Sequence, residues 1–312
     1  MVSIFQRVQY ALSGTTAGRR FQEQMDVATV AMLTHFKALQ DANPVAEPTE
    51  KAALFEAAVN HMEVKSFDDH KKLAQAALTS QMEHVFDVLV RGKANAGYKP
   101  SVFSITEDST PAQEAKGAET LDEIVRRELG YSLHVRDSSI PGAGRGLFLE
   151  GRATAGTAIA LYPGTVYLSE HYRKKYLHVV SNNPFARARF DGAIIDATGE
   201  AIPHANPLAL AQLVNHPPPD TMPNVIPMAY DFPPADPFQT DPHHALIPNR
   251  FVHPPSMLAM FGKRALVHSL VLVALTDIED EEVFLNYRYN PNMEYPPWYT
   301  PVNRDEDLNM WS

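Results

Sequence analysis

The stretch Leu210 to Asn224 reads LAQLVNHPPPDTMPN. An apolar run stops at Asn215-His216, breaks into three prolines and closes on Pro223-Asn224. An amide and an imidazole at the end of a buried segment cost free energy unless something pairs with them. The segment therefore reads as one that delivers polar groups to a site, and candidate partners lie on both sides of it. Upstream are a glycine turn, PGAGRGLF (Pro141 to Phe148), and then Tyr162-Pro163-Gly164. Downstream, VLVALTDIEDEEVFLNYRY (Val271 to Tyr289) is an apolar strand running into acids and tyrosine.

GAGRG, Gly142 to Gly146, also fits the glycine loop of Rossmann-type nucleotide-binding folds. That loop needs a helix opening on the glycines, so that its N-terminal amides face the ligand. The next stretch of chain, LFLEGRATAGTAIALYPG, alternates like paired strands and contains three glycines. No helix fits there, and the Rossmann reading is rejected.

Composition narrows the class. The chain has 312 residues, 45% of them hydrophobic and 21% charged, which suits one main domain with an extension around a real core. No apolar run approaches the roughly 18 residues of a membrane span. There is no cysteine, which excludes disulfides, cysteine nucleophiles and thiolate zinc sites. With 27 basic and 37 acidic residues the net charge is −10, so sequence-independent binding to nucleic acid is not expected. The start, Met1 to Arg20, carries Arg7, Arg19 and Arg20 and no acid before Glu23. It fits a mitochondrial transit peptide or an ordinary N-terminal helix, with cytoplasm or nucleus as the alternative addresses.

Apolar spacing predicts helices over Arg20 to Asp41 (Phe21, Met25, Ala28, Met32, Phe36 and Leu39 inward) and from a Thr49 cap to about His61 (Leu54, Phe55, Ala58, Val59 and Met62 inward). Ser66 with Asp69 looks like a capping box opening a third helix to about Arg91, with Leu73, Ala77, Val85, Phe86 and Leu89 inward. Gly92 to Gly117 reads as a linker, after which Thr120 caps a short helix that Gly130 stops. Beyond Gly130 the texture changes to short strands: SLHVR, GLFLE, TAIALY, GAIIDA and finally Leu270 to Leu275. Val214 to Pro255, proline-rich and without period, is expected to be a long ordered loop over a functional face, with a disordered insert as the alternative.

Taken in order, these pieces resemble the sequence blocks of the SET-domain protein methyltransferases over roughly Leu133 to Tyr299. Gly144 to Phe148 resembles the family's glycine turn, Tyr162-Pro163-Gly164 its Y-x-G, and Asp196-Ala197 its Asp-Ala. Asn215-His216 with Pro223-Asn224 resembles its Asn-His…Pro-Asn block, and Ala274 to Tyr287 its acidic strand ending in tyrosine. LYPGTVY (Leu161 to Tyr167), NNPF (Asn182 to Phe185), NPLALAQLVN (Asn206 to Asn215) and Leu270 to Leu275 are similar to one poorly characterised branch of that family. The resemblance implies an α+β protein: a helical N-terminal region and linker (1–118), a β-rich SET fold of short strands (119–299) with a proline-rich insert near 217–263, and a tail (300–312). It implies S-adenosylmethionine as cofactor, bordered by Ala143, Gly144, Arg145, Gly146, Asn215, His216, Tyr287 and Trp298, with Tyr287 as the catalytic residue and no metal. The implied partner is a lysine-bearing protein substrate, or a larger assembly if the chain is catalytically silent. Pro217, Asp280 and Asn286 depart from the family pattern.

Each residue has a plainer reading too. His216 by itself would be a satisfied core histidine, Tyr287 packing and Trp298 a tail anchor. The Asp277 to Glu282 run reads as a solvated turn. His243, His244, His253 and His268 lack metal spacing and read as loop residues.

Overall fold

In the computed structural model the residues described are 17–44, 47–95, 119–172, 183–199, 205–253 and 265–312, with Tyr176 and Val179. The proposed address segment is described only from Ala17, and most of the linker and residues 254–264 of the insert lie outside this set. The expected α+β architecture forms, with a helical N-terminal part and a β-rich C-terminal part.

The helical part is α1 (Ala17–Ala42), α2 (Pro48–Glu63), α3 (Phe67–Asn95) and α4 (Leu121–Leu129). Both capping boxes exist: Ser66 and Asp69 bond reciprocally before α3, and Thr120 and Glu123 before α4. Gly130 ends α4 in the left-handed conformation, φ 85°. Thr49 does not cap α2; Pro48 sits in its first turn behind Glu47, whose side chain makes no cap bond. There proline's missing N–H costs nothing. The inward stripes agree with the expected ones at Phe36, Ala58, Met62, Val85, Phe86 and Leu89 and are displaced at the N-terminal turns of α1 and α3. Phe21 and Met25 are 61% and 51% exposed, while Val27, Val30, Ala31 and Leu33 are buried. On α3, Leu73 is exposed and Ala74, Leu78 and Met82 turn inward. Periodicity identifies a face only to within about one residue, and what packs against the helix chooses between neighbours.

The strands are β1 (Tyr131–Asp137), β2 (Arg145–Ala153), β3 (Ala158–Leu161), β4 (Gly164–Tyr167), β5 (Ala186–Ala188), β6 (Ile194–Asp196), β7 (Val225–Phe232), β8 (Asn249–Phe251), β9 (Val267–Ala274) and β10 (Ile278–Glu279). They form three small sheets, ordered β1-β2-β10, β3-β9-β7 and β5-β6-β4-β8. β1 and β2 pair antiparallel around the glycine turn, as the alternation required. Two short α-helices, α5 (Ser169–Tyr172) and α6 (Arg304–Trp311), and two 3-10 helices, Ala211–Leu213 and His244–Leu246, are also present among the described residues.

The expected loop from Val214 to Pro255 is corrected: it contains β7, eight residues paired antiparallel with β9, and β8. β7 lies at a sheet edge, where the missing donor of Pro227 is tolerated. Its burial alternates almost perfectly, a period-2 signal that the prolines around it obscured.

One continuous apolar core runs through helices and sheets. Polar contacts join the same two layers. Gln75 on α3 donates to the Asp231 carbonyl (2.7 Å) and accepts from its N–H (3.3 Å). Six residues on, Gln81 donates to the Gly156 carbonyl (3.0 Å) and accepts from the Ala158 N–H (2.8 Å). Each glutamine thus bonds backbone at one edge of the β3-β9-β7 sheet.

Candidate functional site

The site is built where the segment after β10 runs between two much earlier stretches. On one side Val283 N–H bonds Leu147 O (2.8 Å) and Leu149 N–H bonds Glu281 O (2.9 Å). On the other side Leu285 N–H bonds Asn215 O (2.9 Å). Asn224 fixes this crossing: its amide donates to Glu282 O (2.9 Å) and accepts from Phe284 N–H (2.8 Å). The Pro-Asn at the end of the opening stretch is therefore a clamp.

At the crossing the motifs converge on Glu282, which is 4% exposed. Its carboxylate accepts from Ser138 Oγ (2.7 Å), Ser139 N–H (2.7 Å), Ser139 Oγ (2.5 Å) and Asn215 Nδ2 (3.2 Å). Four donors satisfy a carboxylate that burial would otherwise make very costly. Asn215 Nδ2 also donates to Arg145 O (3.1 Å), joining the glycine turn to the Asn-His segment. The glycines divide their work. Gly142 and Gly144 take positive φ with open space where a Cβ would sit. A Cβ on Gly146 would stand 2.1 Å from Glu282 Oε1 and 3.2 Å from Asn215 Nδ2. The solvated-turn reading of Asp277 to Glu282 thus needs correction at Glu282, and Asp277 is held by Lys51, Arg152 and the Ala155 N–H.

His216 is 5% exposed. Its Nδ1 accepts from Tyr287 N–H (3.3 Å), which leaves Nε2 to donate to Thr300 O (2.6 Å). That pattern defines a neutral ring, and burial lowers its pKa. With both nitrogens engaged, His216 has only main chain to offer a cofactor. Tyr287 donates its hydroxyl to Val214 O (2.9 Å), which leaves the oxygen's lone pairs as acceptors. Burial raises its pKa, against the charge of Arg187, so the phenol is neutral. Tyr162 donates to Phe185 O (2.8 Å), and burial pushes its pKa up to about 12.

Aromatic rings surround Tyr287. Trp298, 61% exposed, stands perpendicular to it at 6.2 Å between centroids, and Tyr289 lies at 5.8 Å. Of the remaining expected residues, Ala143 and Gly144 are exposed on the turn. Arg145 folds its side chain back onto Val135 O (2.6 Å) and offers only backbone.

The three departures from the family pattern are accommodated locally. Asp280 takes φ 49° where glycine would be easy, and its carboxylate accepts from Gly151 N–H (2.8 Å). Asn286 accepts from Arg288 N–H (3.0 Å), supporting Arg288 at φ 49°. Pro217, next to His216 in the chain, is buried with it.

Ser138, Ser139 and Arg187 have no counterpart in the sequence reading. Arg187 on β5 sets its guanidinium carbon 4.2 Å from the centroid of the Tyr287 ring. The alternation of ARAR, Ala186 to Arg189, hinted at a strand, but nothing in it indicates what the arginines meet. Among the described residues no group of three or more His, Asp or Glu is arranged to hold a metal, and no helix is long and apolar enough to cross a membrane.

No protein-family model matches the chain. Among curated proteins, SET domain-containing protein 9 of Homo sapiens is 28% identical over 195 residues, covering 53% of this chain and 61% of that protein. Its counterpart from Pongo abelii is also 28% identical over 195 residues, covering 53% of this chain and 67% of that protein. Solved structures with weaker likeness include an autoinhibited ctPRC2 bound to S-adenosylmethionine, at TM-score 0.29, 17% identity, 55% of this chain and 17% of that one. Another is CpSET8 from Cryptosporidium, at TM-score 0.30, 14% identity, 67% of this chain and 95% of that one. At such TM-scores the structural likeness carries no argument. The sequence likeness does: over about half its length this chain is similar to SET domain-containing protein 9, the resemblance that its ordered motifs led one to expect.

Proposed function

We propose that this protein is an S-adenosylmethionine-dependent protein-lysine N-methyltransferase. The observation that supports this most directly is the convergence on Glu282 and Tyr287. The glycine turn, the Asn-His segment and the tyrosine-bearing strand come from three distant parts of the sequence and are joined there by hydrogen bonds. The residues suit the cofactor: an exposed turn backbone at Ala143 to Arg145, the main chain at Asn215 and His216, and the exposed flat face of Trp298 for a nucleobase. When bound, S-adenosylmethionine supplies an electrophilic methyl group on a cationic sulfur.

The chain's own contribution is positioning and electrostatics. Tyr287, engaged as a donor to Val214 O, offers lone pairs to an incoming amine. Its neutral phenol holds the amine without competing as a nucleophile. A lysine, with an ordinary pKa of about 10.4, must lose its proton before it can attack. Calorimetry with S-adenosylmethionine should give saturable binding. Tyr287→Phe should keep that binding and slow transfer by about 10²-fold or more, the scale for one preorganised hydrogen-bonding group. Equal loss of both would contradict the role assigned to Tyr287.

A second reading is a catalytically silent subunit of a protein assembly, favoured by the Arg187 guanidinium over the Tyr287 ring. Folded protein that binds cofactor but methylates no lysine peptide would select it. For location we propose mitochondria, on the arginine-bearing, acid-free start of the chain. Residues 1–40 fused to a fluorescent reporter should go there, and diffuse cytoplasmic signal would overturn the idea.

A further inference from the structure

Arg187 is an unusual cation. Its Nε is buried without a hydrogen-bond partner, and among the described residues no carboxylate pairs with it. Its surroundings are aromatic: Tyr287 lies directly beneath it, the Tyr287 and Tyr162 hydroxyls are within hydrogen-bonding reach of its guanidinium, and Tyr289 and His216 are near enough to feel its charge. A cation over an aromatic face without a counterion is a cation–π arrangement, which ring quadrupoles stabilise. The position is thus one suited to a positive charge, and the chain fills it itself.

This has a consequence for anything that approaches Tyr287. The Tyr287 oxygen accepts from the amine in the reaction proposed above, and the Arg187 charge lies over the ring that carries this oxygen. A second positive charge there meets repulsion, and among the described residues no carboxylate forms an ion pair with Arg187 to offset it. We propose that Arg187 is the specificity-determining residue of this site. It fills the cation position over Tyr287, so the site refuses a charged ammonium and accepts an uncharged nucleophile. A lysine then enters already deprotonated. This inference rests on the assignment of Tyr287 to the site of transfer, but its test does not require turnover.

The test uses two probes of the same shape: choline, which is permanently charged, and its neutral isostere 3,3-dimethyl-1-butanol. Binding to the full chain is followed through Trp298 and tyrosine fluorescence. The wild-type protein should favour the neutral probe at least 10-fold. Arg187→Met should reverse that order, and Arg187→Lys, which keeps the charge, should retain it. Equal or tighter choline binding by wild type overturns the proposal without reference to any variant. So does an Arg187→Lys that behaves like Arg187→Met. Circular dichroism of each variant establishes that it is folded. Should the probes behave as expected while no lysine peptide is methylated, the proposed activity fails and the gate stands.

Discussion

Arg187 and Arg189 stand two residues apart, one in β5 and one just after it, and they meet opposite environments. Arg189 is buried to 3% side-chain exposure and every nitrogen is used: it bonds Asp191, Asp231, Tyr230 O (3.0 Å) and Ser269 O (2.6 Å). Arg187 faces rings and leaves Nε unpaired. The fully satisfied charge locks strands from two sheets into one arrangement. The under-satisfied one sits beside the residue expected to do chemistry. Local energetics thus separate frame from site, although the two residues are identical.

The contrast can be broken most forcefully at Arg189. Arg189→Met strands Asp191 and two buried carbonyls, and should cost about 3–5 kcal/mol in urea unfolding, the scale for breaking a buried ion pair. Acid should weaken the same network. Burial would raise the Asp231 pKa, but the His268 hydrogen bond and the Arg189 charge hold it well below the usual carboxylate range. A depressed carboxylate gives stability that is complete above its unfolded pKa and lost as pH falls through the folded value. The loss should therefore begin as pH falls through the ordinary carboxylate range and continue below it.

Gly146→Ala comes next. Its Cβ would drive into the Glu282 carboxylate, and a cost of about 1–3 kcal/mol is expected, the scale for overpacking. Cofactor binding should weaken with it, whereas Gly144→Ala, with open space at that position, should disturb only the turn's φ.

Asp307 provides an acidic counterpart to Arg187. It is 1% exposed, its Oδ2 has no partner, and burial pushes its pKa up to about 6 despite Arg288. A carboxylate raised in the folded state favours the protonated form, so stability should fall as pH rises from about 4 through about 6. Asp307→Asn should flatten that slope and stabilise the protein at pH 7.5 by roughly 1–2 kcal/mol, read from thermal unfolding. The smallest effect is expected at Arg187 itself: Arg187→Met should change stability by only about 1 kcal/mol, the worth of a partly exposed cation–π contact. A loss as large as that at Arg189 would make Arg187 part of the frame.

Legibility in the sequence obeys the same division. Caps and alternation are local, so Ser66, Thr120, Gly130 and the strands around the glycine turn were legible. Asn215 and Tyr287 were singled out because the resemblance to a family pattern surrounds them. Arg187 was not, because its meaning lies in a ring 100 residues later that only the crossing of chain segments brings near. Glu282 looked like solvated acid for the same reason: its four donors come from Ser138, Ser139 and Asn215. β7 was hidden by proline, which marks loops in general and edge strands in particular.

The two glutamines of α3 have one more consequence. β3 and β7 are the outer strands of their sheet, and open strand edges invite pairing with other chains. Gln75 and Gln81 each present an amide that mimics a neighbouring strand, bonding donor and acceptor on opposite edges. The helical layer therefore does more than add burial to the β-rich half; it shields that half from self-association. A form lacking 17–95 should precipitate or form fibrils. Gln75→Leu with Gln81→Leu should raise light scattering on mild heating while the secondary structure stays intact.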